Sequence, residues 1–269
     1  MKDLSKRVMT TIPLVIAAFF LIKYVPAKFF SILLYLLISA AVYEFLKMTK
    51  PVYHSKIIIF LNGLIIALSF TFGKPGLLSA IMIAVILTGL YFLVATRSKE
   101  RLDSFVRDIG IHHLTIFYLY IPLYFMFQLK QLGPNYLFFL ILVIAIGDSA
   151  AYFVGSAFGK HKIYPVASPN KSLEGLIAAI IFAAFSGWLS LLIFPLAAPV
   201  KIWAAVVTGG IIGLFSQLSD PIESLFKRAA GEKDSGSILP GHGGFLDRID
   251  SYIFCAPVLF YLIRYLWYR

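Results

Sequence analysis

The residues best suited to chemistry crowd into one window, SQLSDPIESLFKRAAGEKDSGSILPGHGGFLDRID, from Ser216 to Asp250. Six carboxylates, four Lys or Arg, one His and five Gly fall within these 35 residues. Asp220, Glu223 or Ser224, and Lys227 follow at three- and four-residue spacing, which sets them on one face of a helix. Asp247 and Asp250 share a face in the same way. Carboxylates such as Asp148, Asp220 and Asp247 hold hard divalent cations, with Mg2+ keeping waters and substrate phosphates as its other ligands. Asp250 and Glu223 stand next in line. Lys227, Arg228 and Arg248 neutralise phosphate oxygens. Gly241, Gly243 and Gly244 let the backbone come close to a ligand and turn N–H groups toward phosphate. His242 either donates to a phosphate or leaving group or steadies its loop. A two-cation site clamps the attacking and leaving oxygens of an in-line displacement at phosphorus. Zinc is disfavoured, because no Cys/His spacing supports it.

A second polar segment precedes this window. Asp148 lies in an apolar run, ten residues before a loop and so ~15 Å deep at the rise of an α-helix. A carboxylate at that depth must face a wet cavity, a cation or a basic partner, unless it pairs with an Arg to hold two helices together. Ser149 and Tyr152 extend the polar character nearby, and Gly155 and Gly159 after Ala151 form a helix-packing pattern. In SPNKSLEG, Ser168-Pro169 marks a turn, and Ser172 is placed to cap the next helix, with Lys171 and Glu174 at its start. Such a helix start offers free N–H groups and partial positive charge to phosphate, or is an ordinary capped end.

The elements that carry these residues are membrane helices. Of 269 residues, 60% are hydrophobic and 14% charged, and mean hydropathy is +0.87. A soluble domain is nearer 45–50% apolar and 25% charged, so the expected class is an all-α polytopic membrane protein. Its net charge of +11 is read as loop Lys and Arg, not as a nucleic-acid surface. The single Cys255 lies in an apolar run and permits no intrachain disulfide. Nine spans are expected, at about 8–22, 28–47, 56–72, 77–96, 110–129, 135–158, 173–194, 199–219 and 251–268. The first begins like a signal peptide but lacks a clear cleavage pattern, so it is read as retained. With the N-terminus inside, only Lys23, Lys28, Lys74, Lys130, Lys201, Arg264 and Arg269 of the 24 Lys and Arg fall outside. That bias predicts a cytoplasmic N-terminus and an external C-terminus. Segments 159–172 and 220–250 then face the cytoplasm together. Pro221 predicts a break or kink near Ser219-Asp220, which is tolerated at membrane depth where it lines a cavity.

These residues alone lead to a membrane enzyme acting on a phosphorylated substrate with divalent metal. The run Ser224-x-x-Lys227-Arg228-x-x-Gly231-x-Lys233-Asp234-x-Gly236, then Leu239-Pro240-Gly241-His242-Gly243-Gly244-x-Leu246-Asp247-Arg248-x-Asp250-Ser251, resembles the signature of phosphatidate cytidylyltransferases, the CDP-diacylglycerol synthases. A second block is similar to the same family: Asp148-x-x-Ala151-Tyr152, Gly155, Gly159-Lys160, Pro165, and Ser168-Pro169-Asn170-Lys171-Ser172-x-Glu174-Gly175. One departure is Ser216-Gln217-Leu218-Ser219-Asp220-Pro221, where the family usually has Gly-x-x-Gly-Asp and a bulky apolar residue. The resemblance implies transfer of CMP from CTP to phosphatidic acid at a plasma-membrane site facing the cytoplasm. It also implies Mg2+, a second cation that is divalent or monovalent such as K+, and a homodimer. Asp148, Asp220, Lys227, His242, Asp247 and Arg248 are then the expected catalytic set, with metal on Asp148, Asp220 and Asp247. Ser168, Asn170, Lys171, Ser172, Glu174, Glu223, Ser224, Arg228, Lys233, Asp234, Gly241, Gly243, Gly244 and Asp250 are the expected substrate contacts. Residues 1–130 are expected to be scaffold or dimer surface, and 131–269 the catalytic region. Two rival readings are a CTP-dependent lipid kinase and a cation-coupled transporter; the transporter reading lacks an inverted repeat. The Asp-x-x-Asp-Gly pattern of CDP-alcohol phosphotransferases is absent.

Overall fold

The computed structural model describes residues 16–52, 54–73, 76–196, 200–236 and 244–267. Helix α1 is seen over 16–24. It is followed by α2 (Ala27–Thr49), α3 (Lys56–Phe72), α4 (Leu77–Ala95) and α5 (Lys99–Leu114). A π-helical stretch, Thr115–Tyr120, leads directly into α6 (Ile121–Leu132). Then come α7 (Pro134–Phe158), the strands β1 (Lys162–Tyr164) and β2 (Ser168–Ser172), α8 (Leu173–Ile193), α9 (Ile202–Ala229) and α10 (Leu246–Leu262), which ends in a π-helical turn, Ile263–Trp267.

Seven helical runs among the described residues are long and apolar enough to cross a bilayer, and α3 is a shorter apolar helix. The chain is an all-α polytopic membrane protein. Eight of the nine expected spans fall on helices, and the ninth, 8–22, lies mostly outside the described residues. The expected 110–129 span sits inside the longer run Lys99–Leu132, whose charged first turns precede the apolar part. Pro122 cannot donate to the carbonyl one turn back, at Tyr118, and the widened π turn lies there.

The helices of the C-terminal half meet at their small residues. A Cβ on Gly209 would stand 2.3 Å from the Ala183 carbonyl oxygen, and one on Gly187 would stand 2.3 Å from that of Ala205. Helices α8 and α9 therefore touch backbone to backbone, as close packing in a lipid medium favours. The α2–α6 half packs on this unit chiefly through α6 against α10.

Two expectations are corrected. Helix α9 runs unbroken through Pro221. Proline leaves the Gln217 carbonyl without its helical donor, but Lys171 Nζ donates to that oxygen at 3.3 Å. With the orphaned acceptor satisfied from outside, the helix has no need to break. At ~42 Å α9 also exceeds the hydrocarbon core, so it absorbs the first part of the expected 220–250 loop. The second correction concerns 159–172. Ser168-Pro169 opens strand β2, which pairs antiparallel with β1, and the turn falls at 165–167.

Candidate active site

One cavity of about 770 Å3 gathers the polar residues of five elements, Lys162 of β1 among them. Helix α7 contributes Asp148, and β2 contributes Ser168, Asn170, Lys171 and Ser172. Helix α9 adds Ser216, Gln217 and Asp220, and the first turns of α10 add Asp247, Asp250 and Ser251. The hairpin is held by a helix cap, since the Gly175 N–H donates to Ser172 Oγ at 3.2 Å, as the spacing predicts. A Cβ on Gly159 would stand 2.5 Å from that same hydroxyl. Glycine at the end of α7 thus lets the cap of α8 close onto it.

Two charge networks line the cavity. In the first, Asp148 Oδ1 accepts from Ser216 Oγ at 2.6 Å and from Gln217 Nε2 at 2.7 Å. Gln217 Oε1 in turn accepts from Lys171 Nζ at 3.2 Å, and Lys171 pairs with Asp220 Oδ2 at 3.0 Å. An ammonium has three N–H donors, and those of Lys171 match three acceptors: Asp220 Oδ2, Gln217 Oε1 and the Gln217 carbonyl. In the second network, Lys227 Nζ lies 2.6 Å from Glu223 Oε2 and 2.7 Å from Asp247 Oδ1. The other Asp247 oxygen accepts from Ser235 N, Ser235 Oγ and Gly244 N at 3.0, 3.0 and 3.2 Å.

Between the networks, single carboxylate oxygens of Asp220, Glu223 and Asp250 lie within 4.8 Å of one another. Glu223 Oε1 is buried and has no hydrogen-bond partner among the described residues. An unsatisfied buried acceptor costs about 1–3 kcal/mol, and more when charged. A cation seated beside Asp220 and Asp250 would remove that penalty. The donors are all hard oxygens, the ligand type that Mg2+ takes.

The model of the family described as "Cytidylyltransferase family" matches residues 5–266. The chain belongs to the cytidylyltransferase family. A phosphatidate cytidylyltransferase of Bacillus subtilis (strain 168) is 33% identical over 278 aligned residues, which cover 98% of each chain. One from Staphylococcus aureus (strain COL) is 36% identical over 205 residues, covering 69% of this chain and 77% of that protein. The Staphylococcus saprophyticus enzyme of that name is 38% identical over 162 residues, covering 60% and 61%.

In this cytidylyltransferase chain, the expected site residues divide by position. Asp148, Ser168, Asn170, Lys171, Ser172, Asp220, Asp247 and Asp250 face the cavity. Glu223 and Lys227 are buried beside it, and Ser224 Oγ is 3.4 Å from Asp220 Oδ1. The Gly244 N–H is directed at Asp247. Glu174 turns to His161, whose Nδ1 lies 2.6 Å away. Arg228, Lys233, Asp234 and Arg248 are exposed and do not line the cavity. Gly241, His242 and Gly243 lie outside the described residues. Of the carboxylates assigned to metal, Asp220 alone belongs to the close triad, which Glu223 and Asp250 complete. Asp148 and Asp247 are held by side-chain donors.

Sequence reasoning passed over Ser216, Gln217, Lys162 and Ser235. Lys162 also lines the cavity and donates to the Asn170 carbonyl at 3.2 Å. The signal for Ser216 and Gln217 was present. They begin the same polar stripe that runs on through Asp220, Glu223, Ser224 and Lys227 at helical spacing. Ser235 had no such signal, because a loop has no period.

Proposed function

We propose that this chain transfers CMP from CTP to phosphatidic acid, releasing CDP-diacylglycerol and pyrophosphate. The observation that carries the reading is the cavity itself, where a carboxylate set fit for a hard cation adjoins Lys171 and Lys227. It occurs in a chain aligned nearly end to end with a protein named phosphatidate cytidylyltransferase.

The lipid phosphate has a second pKa of about 6, by analogy with other phosphomonoesters, so at neutral pH it is largely dianionic. It attacks the CTP α-phosphorus without a strong base. The difficulty is that two polyanions must meet in line, so catalysis consists of positioning and charge neutralisation. Lys171, anchored by Asp220 and Gln217, and Lys227, gripped by Glu223 and Asp247, place fixed positive charges beside the space for phosphate. Asp220, Glu223 and Asp250 would hold Mg2+, and Asp148 and Asp247 face the same cavity for a second cation, divalent or monovalent such as K+. A bound divalent cation neutralises the triphosphate and the departing pyrophosphate. The acyl chains stay in the bilayer while the headgroup enters between the helices. The Lys and Arg bias supports a site that opens to the cytoplasm across the plasma membrane. A homodimer belongs to the same reading and rests on the family resemblance alone; light scattering in detergent tests it.

The deciding experiment incubates purified protein with phosphatidic acid, α-labelled CTP and Mg2+, with and without chelator. Chelator-sensitive label in the lipid phase, matched by pyrophosphate, is the expected result. Aqueous label as CDP with a newly phosphorylated lipid would replace the reading with a kinase. Absence of turnover on any lipid by folded protein would overturn it.

A further inference from the structure

Among the described residues, Glu44 links the N-terminal half by hydrogen bonds to the segments that carry the site. Glu44, in the last third of α2, is only 1% exposed although it lies in an apolar helix. Its Oε2 accepts from the Leu246 N–H at 2.9 Å and lies 3.4 Å from Ser235 Oγ, partners 202 and 191 residues away. Leu246 is the first residue of α10, and the local cap residue, Phe245, provides no side-chain acceptor. Helix N-terminal N–H groups need acceptors and favour negative charge. Glu44 therefore caps α10 from across the fold. The loop is shaped around it, since a Cβ on Gly236 would stand 2.5 Å from Glu44 Oε1. Two further contacts follow the same path. The Phe45 ring meets Phe226 at 5.6 Å, and Lys50 pairs with Glu232 at 3.0 Å.

What Glu44 holds bears directly on the site. Ser235 has one hydroxyl proton, which serves either Asp247 Oδ2 at 3.0 Å or Glu44 Oε2 at 3.4 Å. Leu246 immediately precedes Asp247, whose other oxygen grips Lys227. We infer that Glu44 is a positioning residue, which fixes Ser235, Gly236 and the start of α10 so that Asp247 and Lys227 keep their geometry. It is not among the residues that line the cavity. The inference rests on the proposed CMP transfer for its kinetic consequence, but not for its structural one.

The test compares wild type with Glu44→Gln and Gly236→Ala in detergent, by steady-state kinetics and by amide hydrogen exchange over 230–236 and 244–250. Glu44→Gln preserves shape but removes the charge. Its kcat is expected to fall about 10- to 100-fold, as small misplacements of reacting groups do, with KM for CTP within about threefold. Exchange at 244–250 is expected to rise while the melting temperature of the folded fraction holds. Gly236→Ala reproduces both effects by pushing a methyl against Oε1, and it serves as the test if Glu44→Gln does not fold. In a Glu44→Ala background the added methyl has room, so its penalty should shrink, a coupling that independent packing defects lack. Near wild-type kcat in folded Glu44→Gln, or unchanged exchange at 244–250, would overturn the inference and leave Glu44 a packing residue. Failure of wild type to transfer CMP would sink the functional reading instead, and the exchange comparison would still decide the role of Glu44.

Discussion

Gln217 gives both ends of its amide to charge, Nε2 to Asp148 and Oε1 to Lys171. One neutral side chain thereby sets the spacing between a carboxylate and an ammonium on two other elements. Gln217→Leu keeps the volume but removes both bonds. A hydrogen bond to a charged group is worth about 1.5–3 kcal/mol, so kcat is expected to fall by roughly tenfold or more, measured as label transfer to lipid. Asp220 has a heavier task, because it pairs with Lys171 and also belongs to the carboxylate triad. Asp220→Asn should lower turnover by roughly 100-fold or more. A second readout needs no substrate. If the triad holds Mg2+, the cation raises the melting temperature of wild type by mass action and leaves that of Asp220→Asn unmoved. Equal shifts in both proteins would remove Asp220 from the metal site.

Helix α9 is the element that orders the site, since it bears Ser216, Gln217, Asp220, Glu223 and Lys227 on successive turns. Pro221 within it is an exception to helix chemistry with a use. It frees the Gln217 carbonyl, and that oxygen becomes an acceptor for Lys171. Pro221→Ala restores the internal helix bond and takes the acceptor away. The folded protein should be as stable or more so, whereas kcat falls about fivefold, equivalent to about one net hydrogen bond. Unchanged turnover would show that Lys171 does not need that oxygen. Two adjacent glycines in the same helix make a sharper contrast. A methyl on Gly209 meets the Ala183 backbone at 2.3 Å, whereas one on Gly210 finds ordinary contacts no closer than 3.6 Å. Gly209→Ala should therefore lower folded yield and melting temperature, and Gly210→Ala should keep or raise them through better helix propensity. Size-exclusion profiles and thermal melts in detergent separate the two.

At the scale of the whole molecule, the question is which side of the membrane the cavity opens to. The sole cysteine, Cys255, is fully buried, so a membrane-impermeant maleimide has no native target within the fold. Lys233 is exposed next to the site loop. Lys233→Cys should label in inverted vesicles and stay unlabelled in intact cells. The reverse pattern would invert the proposed topology and turn the cavity away from cytoplasmic CTP.

The sequence by itself determined the membrane class and the positions of eight apolar helices, because burial in lipid demands long apolar runs that composition cannot hide. It also singled out five of the six charged residues that line the cavity, Lys162 being the sixth. Asp148, Lys171, Asp220, Asp247 and Asp250 are costly in an apolar chain and stand out for that reason. The cap at Ser172 was equally legible, since it depends only on neighbours in sequence. Tertiary structure alone decided how these groups pair. That Lys171 completes the helix at Pro221, that Lys227 reaches Asp247 as well as its helix neighbour Glu223, and that Glu44 caps α10 depend on side chains meeting from distant segments. No local period encodes such meetings. Glu44 belongs to no motif in the sequence, and it gains its meaning only when the fold brings the Leu246 N–H to it.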